Sequence, residues 1–395
     1  MDALNFSCQG ESHIAAGKVC QDYSYSKVYE KGNAMAIVCD GHGGKRYFRS
    51  DIGAKIAAEV AENKVQTFIE EAGLSLLKDA PFTRCATISD QITNQDFDKT
   101  SNIERAFRQL FGSIIYEWNA RVLDHASQNP IAEPEKDGLE GHWIKEFEEK
   151  KSLEKVYGCT LIVYAYTPEF WFAFQIGDGK CFACDENGDW SEPIPWDERC
   201  FLNRTTSICD SEAIDEFRYC YDGTGRSPIA MILGSDGIDD SFGAEENQAN
   251  FYVQILKSIA KSGIEATHTE IESTLPQLSK IGSQDDMSIA MVFDAEKVST
   301  ALPKLIEWQI SNVKRQIDEE SAKIEKANKI QQSLESEETL PKQAMIDLHY
   351  ANSDEKKAIE ARTKLQERLD ALQEELSGVK NMNADQTLTK YDSQK

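Results

Sequence analysis

Aspartates stand where short apolar runs end, and this placement is the feature of the sequence that bears most directly on chemistry. The runs AIVCDGHGG, FQIGDGK and MILGSDGIDD carry Asp40, Asp178 and Asp236, and GSQDDMSIAMVF places Asp285 and Asp286 just before another run. An aspartate that follows a buried strand lies at the rim of its sheet, and the next glycine lets the backbone turn away. Carboxylate and carbonyl oxygens, without paired Cys or His, favour Mg²⁺ or Mn²⁺. The pattern therefore predicts a hard-metal site.

Each of these aspartates also has a simpler interpretation, because Asp-Gly after a strand is a common turn signal. Three such strand ends and a fourth acidic pair, with His42 inside the first motif, make unrelated turns the weaker explanation. His42 by itself would be an ordinary surface histidine. Spacing alone leaves both the metal site and the set of turns open.

The elements that must position these residues alternate between short apolar runs and longer amphipathic stretches. Strand-length runs bounded by Gly, Pro, Asp or Asn cover residues 34–39, 159–166, 170–176, 229–233 and 288–293. Apolar residues three and four apart predict helices over 50–71 and 103–126. The polar, charged segment 127–157 is expected to be an exposed connection. The first 298 residues thus read as mixed α and β structure.

Six motifs follow one another in a fixed order over about 270 residues: CQDYS, DGHGG, GCTLIV, IGDGK, LGSDGIDD and SQDDMS. This ordered set resembles the metal-dependent protein phosphatases of type 2C, in a divergent, bacterial-looking form. The resemblance ends near residue 295. It implies an α+β fold, a four-layer α-β-β-α sandwich of two antiparallel sheets flanked by helices, with metals in a cleft at one edge. It also implies hydrolysis of phosphoserine and phosphothreonine in a phosphorylated protein substrate.

The resemblance assigns metal binding to oxygen donors: Asp40, Gly41, Asp22, Asp236, Asp285 and Asp178. It implies that Asp40 bridges two Mg²⁺ or Mn²⁺ ions and that Gly41 offers its carbonyl to one of them. Asp236 and Asp285 would complete the shell of the first ion. Asp22 would lie near the second ion, through water, and Asp178 would join Asp236 at a weaker third site.

The chemistry fits these residue types. Two such ions about 3.5–4 Å apart can bind a bridging hydroxide and neutralise phosphoryl charge. A serine alkoxide is a poor leaving group, so a proton donor helps, and His42 lies two residues after Asp40. We therefore expect His42 to act as the general acid.

The phosphate-binding residue is the weakest part of the resemblance. The family often has an arginine four residues before Gln21, where this chain has Gly17. Gln21 itself replaces a frequent acidic residue, which would weaken the second metal. The candidate replacements are basic or ionisable residues near the motifs: Lys18, His13, Arg46 and Arg49. Lysine acts only as a point charge, and the two arginines have an equal alternative as solvated charges at a helix start. The resemblance places a variable flap at residues 185–227, where we expect substrate choice to reside.

Composition changes after about residue 300, where glycine nearly vanishes and Lys, Glu, Gln and Ala dominate. Two apolar seams, separated by the polar segment ESEETLP at 335–341, predict an antiparallel helical hairpin. We expect a catalytic domain over 1–298, the hairpin over 299–380 and a polar, disordered tail over 381–395. The hairpin is expected to bind a protein partner or to self-associate.

Bulk properties exclude several functions. The net charge of −25 argues against binding nucleic acid or an anionic membrane surface. No apolar run is long enough to cross a bilayer, and the first residues lack a signal-peptide pattern, so we expect a cytoplasmic protein. Ten cysteines are then expected to be thiols rather than disulfides.

Two alternatives to a protein phosphatase stay open. One is a pseudophosphatase that uses the fold as a binding or scaffold module, and the other is a phosphatase of small phosphorylated metabolites. The presence of Asp40, Asp236 and Asp285 together favours an active enzyme over a pseudophosphatase.

Overall fold

The computed structural model describes residues 1–86, 101–201, 204–335 and 342–392. The chain forms two compact units. The first contains Met1–Glu186 and Trp190–Ser299, and the second contains Asn187–Asp189 and Thr300–Lys395. The assignment of catalysis to 1–298 stays a prediction.

The strands are β1 Asp2–Cys8, β2 Tyr23–Val28, β3 Ala34–Cys39, β4 Thr83–Cys85, β5 Leu161–Tyr166, β6 Trp171–Ile176, β7 Lys180–Cys184, β8 Trp190–Ser191, β9 Arg218–Asp222, β10 Ala230–Gly234 and β11 Met287–Phe293. The helices are α1 Glu11–Ala16, α2 Ser50–Phe68, α3 Leu74–Leu77, α4 Asn102–Gln128, α5 Glu133–Lys136, α6 Gly141–Glu148, α7 Leu153–Val156, α8 Ala213–Glu216, α9 Asp236–Asp239, α10 Glu245–Ser262, α11 Ile264–Ile281, α12 Ala295–Glu335 and α13 Lys342–Asp392. All five predicted strands and both predicted helices are present.

Two antiparallel sheets form the centre of the first unit. One has the order β1-β11-β10-β7-β8 and the other has the order β2-β3-β5-β6-β9-β4. Their facing sides share one apolar core, to which β3 contributes Ala36 and Val38 and β11 contributes Ala290 and Val292. Strand β3 is buried on both faces, which is why its sequence is a continuous apolar run.

Helices cover the outer face of each sheet. Ile37 of β3 packs in one cluster with Val60 of α2 and Trp118 of α4. On the other sheet, the ring of Phe182 in β7 lies 5.5 Å from that of Tyr252 in α10. The predicted four-layer α-β-β-α sandwich is therefore confirmed.

The segment 127–157 differs from the expected exposed connection. It contains the short helices α5, α6 and α7, and it buries Phe147, Leu153, Val156 and Tyr157. These few apolar residues are enough to hold the segment against the protein, because all of them pack in the same core cluster as residues of α4. The expectation of a wholly exposed segment was wrong for this part of the chain.

The second unit contains a helical hairpin. Gln331 Nε2 donates to Asn352 Oδ1 at 2.8 Å and to Glu355 Oε2 at 2.7 Å. Nearer the two outer ends, Lys380 Nζ pairs with Glu307 at 2.9 Å. These contacts show that α12 and α13 run antiparallel. Residues 336–341, which include most of the predicted break, lie outside the described residues.

Helix α13 continues to Asp392, so the structure differs from the disordered tail expected from residue 381. No proline interrupts this stretch, and the helical ladder continues through its polar residues. Residues 393–395 lie outside the described part of the chain. Across the described ranges, no helix is both long enough and apolar enough to span a membrane.

Candidate active site

A cavity of about 620 Å³ in the first unit collects most of the predicted metal ligands. Its walls include Asp40, Gly41, Asp178, Asp236 and Asp285. These residues come from four separate motifs and lie at the ends of β3, β6, β10 and the start of β11. The strand-end pattern in the sequence thus corresponds to one place in the fold.

Two glycines allow the backbone segments of the site to approach closely. A Cβ on Gly41 would lie 2.5 Å from the carbonyl oxygen of Gln21, and one on Gly237 would lie 2.0 Å from that of Asp286. Both distances are too short for any side chain. The absence of a side chain at Gly41 therefore lets the DGHGG segment contact the CQDYS segment. The absence of one at Gly237 lets the segment that carries Asp236 contact the SQDDMS segment.

Asp40 and Asp236 form a buried carboxyl pair. Burial raises the pKa of Asp40 well above its ordinary value, and the nearby charges of Asp236 and Asp22 raise it further. Burial also raises the pKa of Asp236 to about 7, and its carboxyl hydrogen-bonds with that of Asp40. Two like-charged groups this close are stable only with a shared proton or a cation between them. The pair therefore fits a divalent metal.

Asp22 adds a third buried carboxyl to this region. Its side chain is 8% exposed, and its Oδ2 has no hydrogen-bond partner among the described residues. Burial and the charge of Asp286 raise its pKa well above the ordinary value. A buried oxygen without a partner is costly, so Asp22 also fits a site that holds a cation.

Asp286 has a structural role beside the ligands. Its Oδ1 accepts the backbone N–H of Gly10 and its Oδ2 accepts that of Gln21, both at 2.6 Å. An asparagine has a single acceptor oxygen and could not bind both donors in this way. Gln21 in turn donates to the carbonyl of His42 at 3.1 Å. Asp286 thus fixes the segment that carries Asp22.

His13 lies in the cavity wall beside the SQDDMS motif. Its Nε2 is 3.8 Å from Asp285 Oδ1, and its Nδ1 is 2.9 Å from Asp286 Oδ2 without hydrogen-bond geometry. The three side chains could share an ion, since their ligand atoms lie within 4.8 Å of one another. Because both oxygens of Asp286 already accept backbone donors, we regard the Asp40–Asp236 pair as the more open metal position.

His42 lies at the cavity with its ring fixed by the flap segment. Its Nε2 is 2.7 Å from Ser207 Oγ, and Ser207 Oγ donates to the carbonyl of Cys159 at 3.0 Å. The hydroxyl has one proton, so Nε2 is the donor to Ser207. The ring packs edge-on against Tyr47, with centroids 4.8 Å apart. Burial lowers the pKa of His42 to about 4, which favours the neutral imidazole.

The candidate phosphate-binding arginines have other partners. Arg49 is 4% exposed and binds the carboxylate of Glu135 through Nε at 2.7 Å and Nη2 at 2.9 Å. Its guanidinium lies 4.9 Å from the ring centroid of Phe147, so Arg49 anchors the segment after α4. Arg46 pairs with Glu146 at 3.2 Å. Neither arginine belongs to the cavity wall.

Lys18 lies at the edge of the site. Its exposed ammonium donates to the carbonyl of Gly43 at 3.0 Å, and Gly43 is part of the cavity wall. Lys18 therefore stays a candidate for a weak, point-charge contact with an anion.

The comparison with protein families agrees with the geometry. The family profile described as Protein phosphatase 2C matches residues 9–275. The chain belongs to the protein phosphatase 2C family. No curated protein matches the chain.

Several solved structures of phosphatases are similar at low identity. Serine/threonine phosphatase Stp1 from Staphylococcus aureus is 12% identical, with 74% of this chain and 95% of that chain covered and a TM-score of 0.42. PppA, a key regulatory component of T6SS in Pseudomonas aeruginosa, is 15% identical, with coverages of 74% and 96% and a TM-score of 0.43. The catalytic domain of PstP, a serine threonine protein phosphatase in complex with two manganese ions, is 13% identical, with coverages of 74% and 98% and a TM-score of 0.43.

In this protein phosphatase 2C family member, the flap contributes residues that the sequence alone did not single out. Arg204, Thr205, Ser207 and Asp210 line the cavity. Lys155 Nζ pairs with Asp210 at 2.7 Å, and Asp210 accepts the backbone N–H of Ser207 at 3.0 Å. The only sequence signal that pointed to these four residues was that the segment 185–227 corresponds to the variable flap of the family.

Proposed function

We propose that this chain hydrolyses phosphoserine and phosphothreonine in proteins and requires Mg²⁺ or Mn²⁺. The observation that carries this proposal is the convergence of Asp40, Asp178, Asp236 and Asp285 on one cavity. Carboxyls that converge in such number need positive charge, and the family is one of phosphatases.

The family resemblance assigns the metal ligands, and the donor set around the cavity fits that assignment. Asp40 would bridge two ions, with the Gly41 carbonyl, Asp236 and Asp285 around the first and Asp22 near the second. Asp178 and Asp236 would hold a weaker third ion. When bound, such ions activate water and neutralise phosphoryl charge. All these donors are oxygens, which suits Mg²⁺ or Mn²⁺ better than zinc.

The role of His42 is to give a proton to the leaving serine or threonine oxygen. Its place in the cavity wall, two residues after Asp40, supports this role. Ser207 holds the imidazole in one orientation through Nε2. The low pKa of His42 works against a large protonated fraction, so dependence on the leaving group is the decisive measurement.

The test uses the purified full chain with an aryl phosphate and with phosphoserine, phosphothreonine and phosphotyrosine peptides. We expect Mn²⁺ or Mg²⁺ to activate hydrolysis of the aryl phosphate and of the phosphoserine and phosphothreonine peptides, and a chelator to abolish it. Full activity after exhaustive chelation would overturn the metal-dependent function. Metal binding without hydrolysis of any substrate would favour a pseudophosphatase. Hydrolysis confined to small phosphorylated metabolites would favour a metabolite phosphatase of the same fold.

A further inference from the structure

The position where the family often has its phosphate-binding arginine cannot easily hold one in this chain. Gly17 ends helix α1 with φ of 65° and ψ of 24°, which is left-handed backbone. A residue with a Cβ rarely adopts this conformation. Position 17 therefore does not supply the contact with phosphoryl oxygens in this chain.

Arg204 lies in the wall of the same cavity. It is the one Lys or Arg among the described residues that line this space. Its side chain is exposed and makes no ion pair with another described residue, in contrast to Arg46 and Arg49. A cation that faces an acidic cavity without a carboxylate of its own is available to an anionic ligand.

The backbone around Arg204 is held beside the metal ligands. Arg204 and Phe201 exchange backbone hydrogen bonds of 3.0 and 3.2 Å. Thr205 and Asp178 both lie in the cavity wall. Thr206 is buried and accepts the backbone N–H of Gly177 at 3.0 Å. The segment 204–206 is thus tied to the turn that carries Asp178.

We propose that Arg204 is the phosphate-binding residue, and that its guanidinium binds two oxygens of the substrate phosphoryl group. The flap would then replace the amino-terminal segment as the source of this contact. A planar guanidinium matches phosphate oxygens in a bidentate way that an ammonium cannot. This inference rests on the proposed phosphatase function.

The experiment compares Arg204→Ala, Arg204→Lys and Arg226→Ala in the Mn²⁺-loaded full chain. Arg226 is a matched control, because it is exposed in the loop before β10 and is not part of the cavity wall. KM for an aryl phosphate and the competitive inhibition constant of inorganic phosphate are measured. We expect Arg204→Ala to raise both about 10–100-fold, Arg204→Lys to lie between, and Arg226→Ala to change neither.

Two results would overturn the role of Arg204 while leaving the phosphatase function intact. One is an active Arg204→Ala variant in which KM and phosphate inhibition stay within about twofold of the parent. The other is an equal loss in Arg226→Ala, which would indicate a general charge effect. If the parent chain hydrolyses no substrate, calorimetry of inorganic phosphate binding tests the role of Arg204 independently of the phosphatase function. Weaker binding by Arg204→Ala than by the parent supports the anion site, and equal or absent binding overturns it.

Discussion

At the scale of single residues, Asp40 and Asp236 show how burial prepares a cation site. Each carboxyl is held where its charge is poorly solvated, and the charge of Asp236 further disfavours the ionised form of Asp40. Such an arrangement costs stability unless a cation balances it. The same repulsion that would be a defect in an ordinary core therefore supports metal binding here.

This trade-off gives a prediction with two opposite signs. Asp236→Asn should reduce turnover by several orders of magnitude, since it removes a ligand of the first ion. In a chelator, the same variant should unfold at an equal or higher temperature than the parent, because a buried like charge has been removed. Thermal unfolding and aryl phosphate kinetics check the two parts. Near-normal turnover would show that the metal site has been misplaced.

His42→Ala is expected to produce a selective defect. An aryl phosphate has a good leaving group and needs little protonation, whereas a phosphoserine peptide needs much. The loss should be greater on the peptide, by roughly 10²–10⁴-fold. Ser207→Ala should show the same selectivity in smaller measure, since it leaves His42 in place and removes the Nε2 contact together with the hydrogen bond to Cys159. Equal losses of His42→Ala on both substrates would mean that His42 only supports the structure.

The sequence predicted the site residues that directly follow or precede strands, because their position depends on local order. Asp40, Asp178 and Asp236 belong to this class. Ser207 and Arg204 do not, since the flap reaches the cavity only through tertiary contacts such as Thr206 with Gly177. No local pattern marks a serine that will accept from a distant histidine.

At the scale of elements, the strands predicted from the sequence were those with continuous apolar runs, and the more polar strands β1 and β2 were missed. Strand β1 lies at a sheet edge, and its Ser7 hydroxyl lies 2.8 Å from that of Ser24 in β2 and 2.6 Å from that of Ser288 in β11. Hydrogen bonds replace apolar contacts at this end of the sandwich. Neither β1 nor β2 contains a continuous apolar run; the alternation in LNFSC of β1 and YSYS of β2 is the sequence signal that identifies them as strands.

Arg49 is expected to contribute to stability rather than to phosphate binding. Arg49→Ala would leave Glu135 and the carbonyls of Asn129 and Pro130 without their donor. We expect a loss of about 3 kcal/mol in the free energy of unfolding, the range for one partner of a buried pair. Urea unfolding measures the loss, and KM for an aryl phosphate below the unfolding range should stay unchanged.

Arg46→Ala is the matched control for this variant. The Arg46–Glu146 pair has side chains 33% and 40% exposed, so its removal should cost less than about 1 kcal/mol. A rise in KM for either variant, with stability preserved, would return that arginine to the list of phosphate-binding candidates.

At the scale of the whole molecule, the division between catalysis and the hairpin can be tested by shortening the chain. The cavity lies entirely in the first unit, which ends at Ser299. The hairpin buries both small side chains, such as Ala327 and Ala358, and larger ones, such as Leu369 and Leu372, and none of its described residues lines the cavity. We infer that the hairpin serves recognition or assembly, through a protein partner or a second copy.

A chain that ends at residue 298 should therefore still hydrolyse an aryl phosphate, while losing an oligomer, a partner or a protein substrate. A longer chain that ends at Ser321 is the necessary comparison, because it keeps the buried residues Leu305, Ile306 and Val313 of α12. Circular dichroism, light scattering and kinetics on an aryl phosphate and a phosphoprotein are measured for both. Activity of the Ser321 chain alone would assign the first half of α12 to the catalytic unit. If both chains fold and neither hydrolyses the aryl phosphate, the hairpin is part of the catalytic machinery and the predicted division is wrong.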